Sequence, residues 1–198
     1  MRRLTAFLMT AIAALVTTAP TGASAEALAI KPLAERVVAD LPAGDLYWRI
    51  ENLSTLPAAQ AAAGSHAIAV EAAGRAWLFT LGAAGGSTPG ATKVIELGPI
   101  PRVTASKYLL RINEAKGPPG AITSIHTHPG SEAFFVLAGE QSIRSPHGVQ
   151  RIAAGKAATG HGADVPMQVS SSGQADLHAL VMFAVDATRP FSSPAAMP

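Results

Sequence analysis

Residues 120–139 read GAITSIHTHPGSEAFFVLAG, and the fold and the chemistry of the chain both turn on this stretch. His126 and His128 stand one residue apart, a Pro129-Gly130-Ser131 turn follows, and Glu132 opens an apolar run that Gly139 closes. In a strand, alternate side chains share a face, so His126 and His128 project side by side while Thr127 points away. The turn reverses the chain, and Glu132 is expected to start a partner strand from which its carboxylate approaches both rings. Two neutral imidazoles and one carboxylate make a ligand set for a first-row transition metal, with coordination positions left for water or substrate. Beyond Glu132, alternation puts Phe134 and Val136 on the same face as an apolar pocket wall.

From His66 onward the chain is a succession of short runs rich in Val, Ile, Leu and Phe, separated by Gly, Pro, Ser and Asn. HAIAVEAAGRAWLFTLG (66–82) reads as a hairpin turning at EAAGR, with Trp77 as a core anchor. TKVIELGPI (92–100), SKYLLRINEA (106–115), EAFFVLAGEQSIRS (132–145), VQRIAAG (149–155), DVPMQVSS (164–171) and ADLHALVMFAVDA (175–187) read as further strands. No long helical period appears after residue 64, and the spacing argues an all-β sandwich or barrel. Upstream, PLAERVVADL (32–41) carries Leu33, Val37 and Leu41 at helical spacing. LYWRIENLSTLPAAQAAAG (46–64) mixes a short strand, with Trp48 as a second anchor, and an Ala-rich turn of helix. The tail TRPFSSPAAMP (188–198) is Pro- and Ser-rich and is expected to wrap the surface or to be disordered.

Gly120, His126, His128, Glu132 and Gly139, at successive intervals of five, one, three and six intervening residues, resemble the first motif of the cupin superfamily at every position. That resemblance implies an all-β, double-stranded β-helix barrel of jelly-roll type over residues 90–187. Residues 26–89 then form a short helical N-terminal extension that adds a helix and strands. The resemblance also implies a divalent transition metal (Fe, Mn, Zn, Ni or Cu) on His126, His128 and Glu132, a small-molecule ligand or substrate, and a homodimer.

The second motif departs from the family pattern. GKAATGHGADVPMQVSSSG (155–173) has Gly155, turn positions at Gly162 and Asp164, and a polar ending at Ser170 to Ser172. Met167, however, follows Pro166 where the family carries a third histidine. Met167 is a thioether ligand, which would tilt the site toward copper because soft ligands favour Cu(I); or it lines the pocket beside a three-residue site; or metal binding is lost and an apolar cavity remains. His161, in a Gly-flanked loop, is a further substitute ligand. His178, alternating with Leu180 and Met182, reads as pocket-facing or core; His147 reads as a hairpin turn, and His66 begins a strand.

The chain opens MRRLTAFLMTAIAALVTTAPTGASA, with Arg2 and Arg3, an apolar run and an Ala23-Ser24-Ala25 cleavage site before Glu26. This is the anatomy of a secretory leader over residues 1–25, implying a periplasmic or secreted protein with no membrane attachment after cleavage. The whole chain has 15 basic and 13 acidic residues; losing Arg2 and Arg3 leaves 13 against 13, a net charge of zero. A neutral chain lacks the basic surface that nucleic-acid binding needs. With no cysteine there is no disulfide framework, and a metal must be held by nitrogen, oxygen or thioether sulfur. No Gly-x-Ser-x-Gly elbow, phosphate loop or His-Glu-x-x-His motif is present. Two functions follow: an exported metal-dependent enzyme, oxygenase-like or isomerase-like, acting on a small organic molecule; or a non-catalytic cupin that binds or senses a small ligand or copper.

Overall fold

Alternation along the long strands buries both faces of a single central sheet. The computed structural model describes residues 26–198, so the expected leader lies outside the described residues. The elements are β1 (Ala29–Val38), β2 (Leu46–Leu53), α1 (Leu56–Ala62), β3 (Ala67–Ala72), β4 (Arg75–Gly82), β5 (Thr92–Ile100), β6 (Tyr108–Gly117), β7 (His126–Thr127) and β8 (Gly130–Ala138). They continue with β9 (Glu140–Ser145), β10 (Gly148–Ala153), β11 (Ala157–Thr159), β12 (Gln168–Ser171), β13 (Leu177–Asp186) and β14 (Ser193–Pro194).

The central sheet has the order β1-β6-β13-β8-β11 and is antiparallel throughout. A second sheet, β10-β9-β12, is extended by the segment leading into β7. Along that segment Gly120, Thr123 and His126 donate their N–H groups to the carbonyls of Ser171, Val169 and Met167. These sheets enclose an apolar interior that includes Phe134, Val136, Ile143, Met167, Val169 and Val181. The result is a double-stranded β-helix barrel.

The other face of the central sheet is equally apolar, because Phe135, Leu180 and Met182 alternate with the interior residues along β8 and β13. A four-stranded sheet, β3-β4-β2-β5, covers it with Trp48, Trp77 and Phe79. Both tryptophans are buried anchors, and the Trp77 ring meets Phe135 edge-on at 5.8 Å while its Nε1–H donates to the Ala72 carbonyl at 2.9 Å. Each buried side chain of this size contributes roughly 1.5–3 kcal/mol, so this second core is a large share of what holds the extension to the barrel. The hairpin at EAAGR forms as expected, its turn made by Ala73 (φ 50°) and Gly74 (φ 67°), the double left-handed geometry that suits strand twist. Helix α1 starts at Thr55, whose Oγ1 accepts from Ala58 N–H at 3.2 Å, and buries Ala59 beside Leu78.

One expectation fails. PLAERVVADL is not helical: its first seven residues belong to β1, an edge strand paired with β6 from Ala29↔Lys116 to Val38↔Tyr108. The spacing of four is that of a helix face, yet here a ladder and the interlayer core were available to a strand. Pro32 is tolerated because the strand lies at the sheet edge, beside a bulge at Pro32/Ala34. The tail runs along the barrel in an ordered course, where β14 pairs with β7 and Ala195 N–H donates to the Ile125 carbonyl. The sheets also interleave around residue 90: β1 joins the barrel sheet, and β5 joins the covering sheet.

Candidate metal centre

His126 and Met167 exchange both backbone hydrogen bonds, at 3.0 and 2.9 Å, so their side chains leave the same face of the ladder. Two residues on, His128 is held by its carbonyl, which accepts from Asp164 N–H at 2.8 Å. Asp164 has φ +64°, the left-handed geometry that its turn position demands. The two rings are pinned in the same manner. His126 Nδ1 lies 2.8 Å from the Ser124 carbonyl, and His128 Nδ1 lies 2.7 Å from the Phe191 carbonyl. A carbonyl only accepts, so both rings carry their proton on Nδ1, and the neutral ring keeps a lone pair on Nε2. Their centroids are 5.0 Å apart at an interplanar angle of 82°. Two imidazoles sharing one ion, with metal–nitrogen bonds of about 2.0–2.1 Å, place their centroids roughly 4.5 Å apart at a right angle and roughly 5.2 Å apart at the tetrahedral angle. The observed separation falls inside that interval.

His128 is buried, and burial, with the charges of His126 and Arg111, pushes its imidazole down to about 4 despite the opposing bond to Phe191. Glu132 projects into the barrel interior from β8 on the same face as Phe134 and Val136, as alternation required. It is 2% exposed, its Oε1 has no hydrogen-bond partner, and burial raises its carboxyl to about 8. Its delivery differs from the expectation. β8 pairs with β13 and β11, not with β7, so the Pro129-Gly130 turn carries the chain from one sheet of the barrel to the other. The structure thus brings the two histidines together, whereas among the described residues no group of three His, Asp or Glu stands close enough to hold an ion. Gly160 closes over the carboxyl from the other side, since a Cβ there would sit 2.5 Å from Glu132 Cγ and 2.9 Å from Phe134 Cε2.

Met167 is fully buried within the interior apolar cluster. The remaining histidines stand elsewhere. His178 is turned away from the site; its Nε2 lies 2.8 Å from Glu114 Oε1, and Leu180 and Met182 face the interlayer core. His161 lies beside His147, with ring centroids 5.5 Å apart. His66 contacts Asp40 and Ser65.

His126 and His128 open onto a cavity of about 360 Å³ walled by Phe134, Val181, Asn113 and Phe191. Sequence reasoning missed the last two. Arg111 and Asn113 alternate on β6, and Arg111 Nε donates to Asn113 Oδ1 at 3.0 Å. That contact fixes the amide, because a guanidinium only donates and the atom that it meets is oxygen. The Arg111 guanidinium also stacks 4.2 Å from the Phe191 ring centroid, and that ring packs 4.7 Å from His128 and 4.9 Å from Phe183. The period-two pattern of LLRINEA signalled an inward Asn113; a lone aromatic in a Pro/Ser-rich tail signalled nothing.

No family model matches the chain, and no curated protein matches it. Solved structures with partial likeness include a cupin-like protein from Thermotoga maritima, at 15% identity and TM-score 0.39, covering 44% of this chain and 65% of that one. A conserved protein with a double-stranded β-helix domain from Klebsiella pneumoniae matches at 19% identity and TM-score 0.38, covering 44% and 75%. A DMSP lyase from Ruegeria pomeroyi matches at 22% identity and TM-score 0.37, covering 43% and 42%. The matched part therefore spans less than two thirds of the Thermotoga protein and of the lyase. Superpositions this partial carry no weight for activity or substrate. The motif itself can be placed on the barrel. Gly120 and Gly139 take left-handed turns at φ +87° and +72°, and a Cβ on Gly139 would lie 2.6 Å from the Asp176 carbonyl oxygen. Between those turns the paired histidines and the inward glutamate sit on the walls of a double-stranded β-helix, so the cupin-like motif and the barrel that it implies occur together in this chain.

Proposed function

We propose that this chain is an exported, metal-dependent cupin enzyme that acts on a small organic molecule in the barrel cavity. The observation that carries the reading is the double commitment of Nδ1 protons to the Ser124 and Phe191 carbonyls, which leaves two Nε2 lone pairs on neighbouring rings. Backbone acceptors of this kind fix the tautomer and orientation of metal-binding histidines. His126 and His128 would hold the ion, and Glu132, with its unpartnered Oε1, would join them only by closing toward the pair. A bound divalent ion supplies Lewis-acid polarisation of a substrate oxygen or a site for dioxygen. The chain's own residues do the rest. Phe134, Val181 and Phe191 select an apolar body and keep water out. Asn113, whose Oδ1 is committed to Arg111, is left with an amide N–H to offer a ligand oxygen.

One observation favours the second reading, a binding or sensing protein without turnover: among the described residues the cavity lining contains no carboxylate to move a proton. Elemental analysis of protein purified from its native compartment tests both. We expect a first-row divalent metal in the wild type and one equivalent fewer in a His126→Ala/His128→Ala variant. Turnover or oxygen consumption marks the enzyme, and copper without turnover marks the carrier. Equal metal content in the two proteins refutes the site. Export rests on residues 1–25 alone; protein from the periplasm or medium should begin at Glu26, and an intact leader on it refutes this part.

A further inference from the structure

Two histidines that the barrel site does not use meet at a separate cavity. His147 sits in the turn between β9 and β10, its backbone N–H donating to Ser145 Oγ at 3.2 Å, so the hairpin fixes where its ring begins. His161 follows Gly160, whose N–H donates to the Glu132 carbonyl at 2.9 Å just after β11. The two rings lie side by side in the wall of a cavity of about 360 Å³ whose other polar lining is Ser145, Gln150 and Thr159. None of its lining residues is shared with the barrel cavity.

We propose that His147 and His161 form a second transition-metal site, taking one Zn²⁺ or Cu²⁺ ion through the two imidazoles, with water filling the other positions. The ring centroids are 5.5 Å apart at an interplanar angle of 50°. Two imidazoles on a tetrahedral ion stand about 5.2 Å apart, so the ring spacing is within a few tenths of an ångström of what a shared ion needs. The chain has six histidines; His66, His126, His128 and His178 each hydrogen-bond a protein group through a ring nitrogen. Among the described residues neither His147 nor His161 does, so their nitrogens are uncommitted. Partial burial, together with the His147 charge, lowers the His161 imidazole below its ordinary value, which keeps its lone pair available near neutrality. Among the described residues no carboxylate lines the cavity, so it offers Mg²⁺ or Ca²⁺ only neutral oxygens, whereas the two imidazoles suit Zn²⁺ or Cu²⁺. An ion there would tie the β9–β10 turn to the loop whose Gly160 packs on Glu132.

Calorimetric titration of the untagged, metal-free protein tests the site without reference to the barrel. Zn²⁺ should bind the His126→Ala/His128→Ala variant with one equivalent, and adding His161→Ala or His147→Ala should weaken that binding at least about tenfold. In the wild type, substoichiometric Cu²⁺ should broaden the ring proton resonances of His147 and His161, whatever the barrel histidines do. Mg²⁺ should give neither effect. If Zn²⁺ fails to bind the double variant and Cu²⁺ leaves both resonances sharp, the proposal is wrong. Binding that persists in full after His161→Ala overturns it as well. A wild type that binds a single equivalent, lost with His161→Ala, keeps this site and removes the barrel one.

Discussion

Glu132→Gln should change the shape of the stability–pH curve of the metal-free protein. In the folded chain burial holds the Glu132 carboxyl at about 8 against an ordinary 4.5. Between those pH values the folded protein keeps a proton that the unfolded chain has released, so stability falls as pH rises. His128 has the opposite sign: held at about 4 against 6.5, it makes the folded protein bind fewer protons, and stability rises with pH across that window. At about 1.4 kcal/mol per pH unit the two slopes offset one another from pH 4.5 to 6.5. Above 6.5 only Glu132 acts, and the wild type should lose about 2 kcal/mol by pH 8. The amide introduced by Glu132→Gln cannot titrate, so the variant should gain about 3 kcal/mol from pH 4 to 6.5 and then stay level. A buried amide without partners costs roughly 1–3 kcal/mol at every pH, which shifts the curve without bending it. Urea titrations in chelator, followed through Trp48 and Trp77 fluorescence at half-unit pH steps, give both curves. Parallel curves for the wild type and the Glu132→Gln variant between pH 6.5 and 8 would refute the claim that this carboxyl is buried without a partner.

Met167→His adds an imidazole in register opposite His126 and should raise divalent-metal affinity at least about tenfold by calorimetry; the same metal preference before and after excludes a thioether bond, and a switch away from copper supports one. Deleting residues 190–198 removes the Phe191 carbonyl from His128 and should weaken metal binding at the barrel site roughly tenfold to a hundredfold. Unchanged affinity in the deletion would show that the tail is no part of the site.

Much of the barrel was legible because its strands carry unambiguous period-two patterns. Glu132, Phe134 and Val136 face inward while Ala133 and Phe135 face the covering sheet, and one register settles both sets. Which strands pair was not legible. Pro129-Gly130-Ser131 reads the same whether it joins neighbours in one sheet or passes between two, and here it does the second, which moved Glu132 away from the strand that holds the histidines. Leu33, Val37 and Leu41 misled because their spacing is that of a helix face, whereas in β1 a bulge sets Leu33 against the interlayer core, Val37 stays exposed and Leu41 lies beyond the strand. Phe191 was invisible because its contribution to His128 is a backbone carbonyl, which every residue owns.

The position of β13 at the middle of the central sheet sets the order in which the molecule can fold. β6 and β8 both precede it in the chain, yet neither pairs with the other, and each takes its inner ladder partner from β13 while β1 and β11 cover their outer edges. Until β13 arrives, two long strands have open edges and two hydrophobic cores lack a wall. Pairing across such sequence distances is slow, and unpaired edges are templates for association with other chains. A nascent or refolding chain interrupted ahead of Leu177 is thus caught with its most aggregation-prone surfaces bare, and its yield depends on how quickly that one segment is delivered.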